Sequence, residues 1–211
     1  MDILFTIGDN ETPVVEINNA RYVQKPLQNA RLADRLVSMG VMSHHDDNFV
    51  YYPFYEHSMT LLEYLYSNTH YNKDELSTKL ISTVKSIHDN GIVHGDIHPE
   101  NIIVITETTK TVVMLIDFEQ SSFVEENNDS TPLYIPRNWD GKNNIDTDLY
   151  GLGACLFRIY DTESKLPIGT SLSSDPELYV DPINIRYKPD IPNEISSLIK
   201  QYLHYQYNTI S

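Results

Sequence analysis

Short apolar runs alternate with polar breaks over the first 26 residues, a pattern typical of antiparallel strands. The runs are residues 3–7, 14–17 and 21–25. Residues 8–11 and the pair Asn18-Asn19 separate them, and Gly and Asn accept the positive φ angles of tight turns. The pattern predicts three short strands joined by hairpins, with Pro26 ending the third.

Apolar residues recur at helical spacing further along the chain. The predicted helices are residues 27–39, 60–66, 74–89, 146–160 and 194–203. Gly40 is suited to end the first helix, because glycine accepts the left-handed conformation that follows a helix. Asn72 is placed to cap the third helix, with Glu75 as its capping-box partner, and Asn193 is placed to cap the last.

An aromatic, β-prone stretch at residues 49–55 lies between the first two helices. Pro53 cannot donate to a strand ladder, so we expect an edge strand that leads into a hinge. Two further apolar strands are expected at residues 102–105 and 112–116. Strands dominate before the hinge and helices after it. The pattern predicts an α+β fold with a reduced β-rich lobe over residues 1–52 and a mainly helical lobe over residues 53–211.

The chain is strongly acidic. Its 211 residues include 30 acidic and 15 basic side chains, a formal net charge of −15. That length fits one domain or two small lobes that share a hinge. The negative charge repels nucleic acid and anionic membrane, so neither is expected as a partner. A solvated acidic surface is the ordinary interpretation, and a surface that suits a basic partner is the alternative.

Cysteine content and hydropathy bear on the compartment. Cys155 is the only cysteine, so no internal disulfide forms, and its apolar neighbours predict a buried core residue. We see no apolar run long enough to span a membrane and no signal peptide, and we expect a cytoplasmic protein. Abundant Asn, Ile and Tyr with scarce Ala indicate an AT-rich genome. A viral protein or a bacterial effector, for which the host cytoplasm is expected, would fit that composition.

Three polar residues occur in an order that suits phosphoryl transfer. Asp96 and Asn101 share one loop, and Asp117 ends an apolar strand. Transfer from a metal-bound nucleotide needs one carboxylate that orients or deprotonates the attacking hydroxyl, and an amide and a second carboxylate that hold the metal. We assign Asp96 the first role and Asn101 and Asp117 the second, with ATP as the nucleotide and Mg²⁺ or Mn²⁺ as the metal.

These motifs resemble those of the protein kinase superfamily, in order, spacing and strand context. Residues 131–136 resemble the end of a kinase activation segment, and residues 146–153 resemble the start of the helix that follows it. The resemblance covers about residues 49–203. It implies a bilobal protein kinase-like fold with ATP at the hinge, and it implies that Asp148 accepts hydrogen bonds from the catalytic-loop backbone.

Several residues depart from the usual protein kinase pattern. Gly95 stands where an arginine commonly receives an activation-loop phosphate, so activation by phosphorylation loses its receiver. His98 replaces a lysine and is expected to contact phosphate, and Glu119 replaces a glycine, which predicts a fixed metal-site loop. The variants look more like aminoglycoside and choline kinases and the kinase domains of lanthipeptide synthetases. Arg137 replaces a glutamate whose arginine partner is missing from residues 202–211.

The nucleotide-binding half of the pattern is incomplete. Residues 8–11 hold one glycine and two carboxylates, which would oppose a triphosphate. Lys25 has the spacing of a nucleotide-binding lysine, and an ordinary strand-end lysine is the alternative. Asp34 is a substitute carboxylate for it, although a local pair with Arg35 is at least as plausible. The residues expected to bind nucleotide at the hinge are Tyr51, Tyr52 and Phe54.

Three other polar features have simpler interpretations. Residues 44–47 could ligate a metal, but adjacent histidines do not share a strand face, so a solvated loop is expected. Residues 125–129 are also expected to be a solvated loop, although they lie where a peptide substrate would approach and would then select basic sequences. His94 is expected to be a packed catalytic-loop residue.

The residues leave several functions open. Retention of Asp96, Asn101 and Asp117 together favours an active kinase, and residues 131–136 favour a Ser/Thr hydroxyl of a protein as acceptor. The loop variants favour a small-molecule hydroxyl. A pseudokinase that binds and modulates another protein is a further alternative, as is transfer of AMP. An activating or host protein that completes the thin first lobe is a possible partner.

Overall fold

A five-stranded antiparallel sheet forms the first quarter of the computed structural model, which describes residues 3–7, 10–67, 70–106, 110–126, 128–135, 139–162, 169–170 and 191–204. Its strands are β1 (Ile3–Ile7), β2 (Asn10–Ile17), β3 (Ala20–Pro26), β4 (His44–His45) and β5 (Phe49–Pro53), in the order β1-β2-β3-β5-β4. Asn18 and Asn19 have φ angles of 53° and 63°. The predicted strands and the hairpin between β2 and β3 are confirmed.

Helix α1 (Ala30–Ser38) crosses from the sheet toward the rest of the molecule. The Asn29 side chain accepts a hydrogen bond from the Leu32 N–H at 3.1 Å, so the helix begins three residues later than predicted. Leu32 and Leu36 are buried, and Gly40 ends the helix region with a φ of +73°. The helix and its stop are confirmed.

The prediction that residues 49–55 form an edge strand is wrong. Strand β5 pairs with β3 on one side and with the two-residue β4 on the other, and Pro53 is its last residue. The predicted solvated loop is also wrong for His44 and His45, because they form β4 and are half-buried. His44 stacks on Tyr51 with ring centroids 4.4 Å apart. Strand β4, which covers the edge of β5, has only two residues, too few for a periodic signal to be detected from sequence.

The second part of the chain begins with a strand that the pattern missed. Strand β6 (Ser58–Thr60) leads directly into α2 (Leu61–Ser67). Thr60 Oγ1 accepts from the Glu63 N–H at 3.1 Å, and Glu63 Oε2 accepts from the Thr60 N–H at 2.9 Å. This capping box fixes where the helix begins.

Helix α3 (Lys73–Asp89) begins at an Asn72 cap, as predicted, and leads to the short strand β7 (Ile92–Val93). Strands β8 (Ile102–Thr106) and β9 (Thr111–Leu115) follow as predicted, and β6, β8 and β9 form one antiparallel sheet. The remaining elements are β10 (Ser122–Phe123), β11 (Tyr134–Ile135), α4 (Ile145–Tyr160), β12 (Gly169–Thr170) and α5 (Asn193–His204).

Helix α4 is the buried centre of the helical part. Cys155 is fully buried in it, as predicted, and burial raises the pKa of its thiol. A Cβ at Gly151 would lie 2.4 Å from the Ile97 carbonyl oxygen, so only glycine lets α4 pack this closely on the loop before β8. The close approach explains a glycine inside a helix, where it otherwise costs stability.

The architecture agrees with the predicted α+β class: a small β-rich N-terminal region followed by a helical part. One connected set of buried residues runs through both, from Leu36 and Tyr52 to Leu80 and Leu156. No helix among the described residues is long and apolar enough to cross a membrane. The predicted features at residues 8–9, 136–137 and 205–211 lie outside the described residues.

Candidate active site

The loop that carries Asp96 is held by hydrogen bonds from its backbone to the buried side chain of Asp148. Asp148 is 1% exposed, and its Oδ1 accepts from the Gly95 N–H at 2.9 Å. Its Oδ2 accepts from the His94 N–H at 2.7 Å and lies 2.9 Å from His88 Nε2. A buried carboxylate is stable only when such donors surround it. The expected hydrogen bonds from the catalytic-loop backbone to Asp148 are confirmed.

Gly95 occupies a position that no other residue could take without moving its neighbours. Its φ is +84°, and a Cβ there would lie 2.3 Å from the Gln120 carbonyl oxygen and 3.3 Å from the Asn143 Nδ2. The side chain of an arginine therefore has no room at this position. The backbone of the turn after Asp117 and the side-chain amide of Asn143 occupy the space that a side chain at Gly95 would need.

His94 is fully buried under the same loop. Its Nε2 donates to the Ile116 carbonyl oxygen at 2.9 Å, its Nδ1 accepts from the Asp96 N–H at 3.3 Å, and its ring packs on Phe118. Burial lowers the pKa of His94 below its ordinary value, because the imidazolium form would lose its hydration. The predicted packed role is confirmed, and the neutral ring joins the Asp96 loop to the strand that ends at Asp117.

Burial of His94 predicts a loss of stability in acid. In the unfolded chain a histidine takes up its proton at an ordinary pKa of 6.5, whereas the folded state resists protonation. The free energy of unfolding should therefore fall as the pH drops below 6.5, by up to about 1.4 kcal/mol per pH unit from this residue. Urea unfolding of the wild type and His94→Gln between about pH 7.5 and pH 5.5 measures the effect.

The expected result is a shallower dependence of unfolding free energy on pH in His94→Gln than in the wild type. His57→Gln, a change at an exposed residue, serves as the matched control and should keep the wild-type slope. Parallel slopes for the wild type and His94→Gln would contradict the prediction.

Asp96 sits at the centre of the site, with its side chain 14% exposed. Its Oδ1 accepts from the Leu133 N–H at 2.7 Å, and its Oδ2 lies 3.3 Å from Gln120 Nε2 and 3.6 Å from His98 Nε2. Burial raises the pKa of Asp96, but the contacts with His98 and the Leu133 N–H outweigh it, and the net pKa lies below the ordinary value. Asp96 is therefore an ionised acceptor at neutral pH.

Asn101 and His98 flank Asp96. Asn101 Nδ2 donates to the Asp96 carbonyl oxygen at 3.0 Å, which fixes the loop, and the Ile116 N–H donates to the Asn101 carbonyl oxygen at 3.0 Å. His98 is buried beside Tyr134, and its Nδ1 accepts from the Glu100 N–H. The structure brings these predicted residues together around one carboxylate.

Asp117 has the backbone of a constrained site residue. Its φ of 65° and ψ of 63° are left-handed, a conformation that costs energy in a residue with a Cβ and is concentrated at functional sites. Its Oδ1 is buried and lies 2.8 Å from Lys25 Nζ. Lys25 Nζ also lies 3.4 Å from Glu119 Oε1. The strand-end lysine is thus in the site, whereas the substitute carboxylate Asp34 instead pairs with His45 at 2.9 Å, so that prediction is wrong.

An apolar cleft opens beside Lys25 and Asp117, the two charged residues that line it. Its other lining residues are Val23, Tyr52, Pro53, Phe54, Tyr55, Ser58, Ile103, Met114 and Ile116. Apolar walls with a few polar groups at one place are typical of a small-molecule site. Burial raises the pKa of Tyr52 strongly, so its hydroxyl stays neutral.

The structure does not bring Tyr51 to this cleft, contrary to its predicted nucleotide-binding role. Successive side chains of a strand point to opposite faces, and Tyr51 lies on the face away from Tyr52. Its hydroxyl donates to Asp46 Oδ2 at 2.8 Å and accepts from Gln24 Nε2 at 3.2 Å. Tyr51 therefore supports the sheet and its cover strand β4.

The donor set fits a divalent metal that keeps substrate oxygens among its ligands. Among the residues that the structure describes, no three His, Cys, Asp or Glu side chains gather as a metal site. Asp117 Oδ1 is buried and accepts no hydrogen bond of good geometry, and it forms an ion pair with Lys25 Nζ at 2.8 Å. Mg²⁺ is commonly held by one or two protein oxygens together with phosphate and water. Asp117 and Asn101 match that requirement.

The segment after the site is tied to α1 and to its own loop. Arg31 lies 3.0 Å from Glu125 and 3.2 Å from Glu126, and its guanidinium stacks over the ring of Phe123. The prediction of a solvated loop agrees with the structure here, because the side chains of Glu125 and Glu126 are 62% and 36% exposed and meet Arg31 at the surface. A second set of contacts involves amides: Asn128 Nδ2 donates to the Gln120 carbonyl oxygen and Asn143 Nδ2 to the Ser130 carbonyl oxygen.

Sequence reasoning missed three contacts in the site. Glu119 reaches Lys25, Gln120 reaches Asp96, and Leu133 donates its N–H to Asp96. The replacement of a small residue by a carboxylate at Glu119, two positions after Asp117, was the one sequence signal for any of them. The other two join residues that are 24 and 37 positions apart, and the sequence carries no periodic pattern that would pair them.

Comparison with known proteins gives a consistent result. The family model described as "Protein kinase domain" matches residues 24–209. A relative from Synechocystis sp., named serine/threonine-protein kinase D, is 35% identical over 111 residues, 46% of this chain and 21% of that protein. A relative from Acanthamoeba polyphaga mimivirus, named a putative serine/threonine-protein kinase, is 28% identical over 144 residues, 61% of this chain and 49% of that protein.

A third relative, from Caenorhabditis elegans, is named a putative tyrosine-protein kinase. It is 31% identical over 142 residues, 58% of this chain and 40% of that protein. The chain therefore spans at most about half the length of these relatives.

Proposed function

This chain belongs to the protein kinase family, and on that premise we propose that it transfers the γ-phosphoryl group of ATP to a Ser or Thr hydroxyl of a protein. One observation carries the proposal: Asp96 and Asn101 share one hydrogen-bonded loop, the Ile116 N–H ties that loop to the strand before Asp117, and Asp117 with Lys25 lines an apolar cleft. This combination supports a proposed base, metal site and nucleotide pocket that lie side by side.

Each residue has a distinct proposed role. Asp96 orients the acceptor hydroxyl and accepts its proton as the new oxygen–phosphorus bond forms and the bond from Pγ to the β,γ-bridging oxygen breaks, releasing ADP. Asn101 and Asp117 would hold Mg²⁺ or Mn²⁺, which neutralises the charge that develops on the phosphates. His98 steadies Asp96 and contacts phosphate, and Lys25 binds phosphate oxygens.

Geometry favours the adenine in the apolar cleft. Tyr52 and Phe54 line it from the β-rich region, and Met114 lines it from β9. The cleft lies where the proposed lobes, residues 1–52 and 53–211, meet. Tyr51 is left out of this proposal because its side chain faces Asp46.

The protein acceptor is supported by the segment before β11 and by two relatives named as serine/threonine kinases. The segment lies over Asp96 through the Leu133 N–H, so a peptide hydroxyl would enter beside it. Glu125 and Glu126 border this region, and the net charge of −15 favours a basic substrate or an activating protein with a basic surface. We place the reaction in the cytoplasm, of a host cell if the protein is viral or an effector.

Activity should not depend on phosphorylation of the segment. Gly95 leaves no space for a phosphate-binding arginine, and Arg31 of α1 already meets Glu125 and Glu126. The two glutamates supply the negative charge that a phosphate would otherwise bring. The amides of Asn128 and Asn143 hold the segment in addition.

A pseudokinase that binds another protein is the second candidate. The observation that favours it is the composition of residues 8–11, which offer one glycine and two carboxylates instead of a glycine-rich phosphate cradle. In this case Lys25 and Asp117 would remain paired with each other at 2.8 Å and no phosphate would be transferred.

The decisive experiment follows label from ATP to an acceptor. The protein is incubated with Mg²⁺ and ATP labelled at either the α or the γ phosphate, with cell lysate or basic peptides containing Ser, Thr or Tyr, and with candidate small-molecule alcohols. The expected result is transfer of the γ label to Ser or Thr, unchanged by prior phosphatase treatment of the protein. Asp96→Asn should lower the rate by about 10³-fold.

Other outcomes separate the alternatives. Label only from the α position indicates AMP transfer, and label on an alcohol indicates a small-molecule kinase. Label on Tyr would change the proposed acceptor from Ser or Thr to Tyr and would leave the rest of the proposal unchanged. No transfer, together with no change in melting temperature on adding Mg·ATP, would overturn the proposal in favour of the binding module.

A further inference from the structure

We propose that the Glu119 carboxylate positions the Lys25 ammonium group in the site. Helix α1 provides no carboxylate for this role. The inference rests on the proposed function, because it concerns how Lys25 is held for a nucleotide. The sequence pattern predicts only that Glu119 stiffens the metal-site loop, and it gives no indication of a contact with Lys25.

Helix α1 offers Lys25 no carboxylate. Asp34 is the one acidic residue of the helix, its side chain is 75% exposed, and it binds His45 Nε2 at 2.9 Å. The buried face of the helix is apolar and consists of Leu32, Ala33 and Leu36. A partner for the Lys25 ammonium must therefore come from elsewhere.

Two carboxylates from the turn after β9 supply that partner. Lys25 Nζ lies 2.8 Å from Asp117 Oδ1 and 3.4 Å from Glu119 Oε1, and the lysine side chain is only 16% exposed. An ammonium group this far out of water needs compensating negative charge. The two carboxylates lie two residues apart, so one turn provides both.

The two carboxylates cannot act in the same way once a metal is bound. Asp117 Oδ1 is the oxygen that the proposed metal would use, and a divalent cation competes directly with the ammonium for it. Glu119 is then the carboxylate that keeps Lys25 in the site while its ammonium turns toward phosphate. The proposed role of Glu119 is therefore to hold Lys25, and its role in catalysis is indirect.

The turn fixes Glu119 from both sides. Phe118 is 4% exposed in the core, and the Gln120 carbonyl oxygen accepts from the Asn128 side chain. The turn from Phe118 to Gln120 is a single 3₁₀ turn. With both neighbours anchored, the backbone of Glu119 is held beside Lys25, and its side chain, 46% exposed, reaches the lysine from the rim of the site.

The alternative role for Glu119 is that of a second metal ligand. The two roles differ in whether the effect of Glu119 depends on Lys25. If Glu119 acts through Lys25, then removing Lys25 removes its effect. If Glu119 binds metal, its effect persists without Lys25 and depends on the metal concentration. A double-mutant cycle measures this coupling directly.

The test is titration calorimetry of the full chain with Mg·ADP, which needs no turnover. We expect Glu119→Gln to weaken binding about tenfold, Glu119→Asp to weaken it less, and Lys25→Met to weaken it at least as much as Glu119→Gln. In the Lys25→Met background, Glu119→Gln should cause no further loss. Glu16→Gln removes an equal charge from an exposed position on β2 and should leave binding unchanged.

Four results would overturn the inference. Additive losses in the double variant would show that Glu119 acts without Lys25. A higher Mg²⁺ requirement in Glu119→Gln would assign Glu119 to the metal. Wild-type binding with an unaffected Glu119→Gln would leave the proposed function intact and remove only this role, whereas failure of the wild type to bind Mg·ADP would remove both. Thermal melting of each free variant checks that it is folded.

Discussion

Replacing Asp117 with asparagine is expected to lower γ-phosphoryl transfer by about 10³-fold or more. The substitution keeps the shape of the side chain but removes the charge that the metal requires. Asp117 is held in a defined position in the site. Its backbone lies in the left-handed region, and its Oδ1 lies 2.8 Å from Lys25 Nζ. Loss of this carboxylate should therefore weaken the proposed metal site and the hold on Lys25 together.

Asp47→Asn is the matched control, because it makes the same chemical change at an exposed residue in the turn between β4 and β5. It should transfer label at the wild-type rate. Initial rates with γ-labelled ATP, measured over a range of Mg²⁺ and Mn²⁺ concentrations, give the comparison. Transfer by Asp117→Asn within about threefold of the wild type would show that the metal site lies elsewhere.

The catalytic loop could be predicted because its geometry is local. Asp96 and Asn101 lie five positions apart, and one short turn joins them through a hydrogen bond from Asn101 Nδ2 to the Asp96 carbonyl oxygen. The role of Asp148 was implied by the resemblance to protein kinases, and the structure supplies its physical reason, because a buried carboxylate needs donors around it. Local spacing was sufficient for the loop of Asp96 and Asn101 alone.

Contacts between distant segments could not be predicted in the same way. Lys25 and Glu119 are 94 positions apart, and nothing in either segment specifies the other. For a similar reason, the sequence could not predict which of Tyr51 and Tyr52 lines the cleft. Alternation along β5 places them on opposite faces, but both faces carry aromatic or apolar partners, so the sequence does not indicate which one meets the cleft.

The short elements were missed because they are stabilised by their partners. Strands β4 and β6 have two and three residues, too few for a period to show. Strand β6 forms because β8 offers it an edge, and β4 because β5 does. Tertiary pairing therefore decides whether such short elements form.

Removing the side chain of Asp148 is expected to cost about 3–5 kcal/mol of unfolding free energy. In Asp148→Ala, the N–H groups of His94 and Gly95 lose their acceptor, and His88 Nε2 loses its partner. All these groups lie at the buried base of the loop. Because a domain is stable by only about 5–15 kcal/mol, the variant should be marginally folded at room temperature.

Asp148→Asn separates the shape of the side chain from its charge. Its carbonyl oxygen still accepts one hydrogen bond, but its amide cannot accept the second, so a loss of about half that of Asp148→Ala is expected. Asp146→Ala is the control, because Asp146 lies in the first turn of the same helix and its side chain makes no described hydrogen bond to the catalytic loop. Its loss should stay within about 1 kcal/mol, the range of a helix-dipole contribution.

Urea unfolding followed by circular dichroism gives the three free energies on one scale. The order wild type, Asp146→Ala, Asp148→Asn, Asp148→Ala is expected, from most to least stable. Label transfer by folded Asp148→Asn should also fall, because the N–H groups of His94 and Gly95 set the direction of the loop that carries Asp96. Equal midpoints for Asp146→Ala and Asp148→Ala would mean that the loop holds its shape without this carboxylate, and Asp96 would then depend for its position on Asn101 and the Leu133 N–H alone.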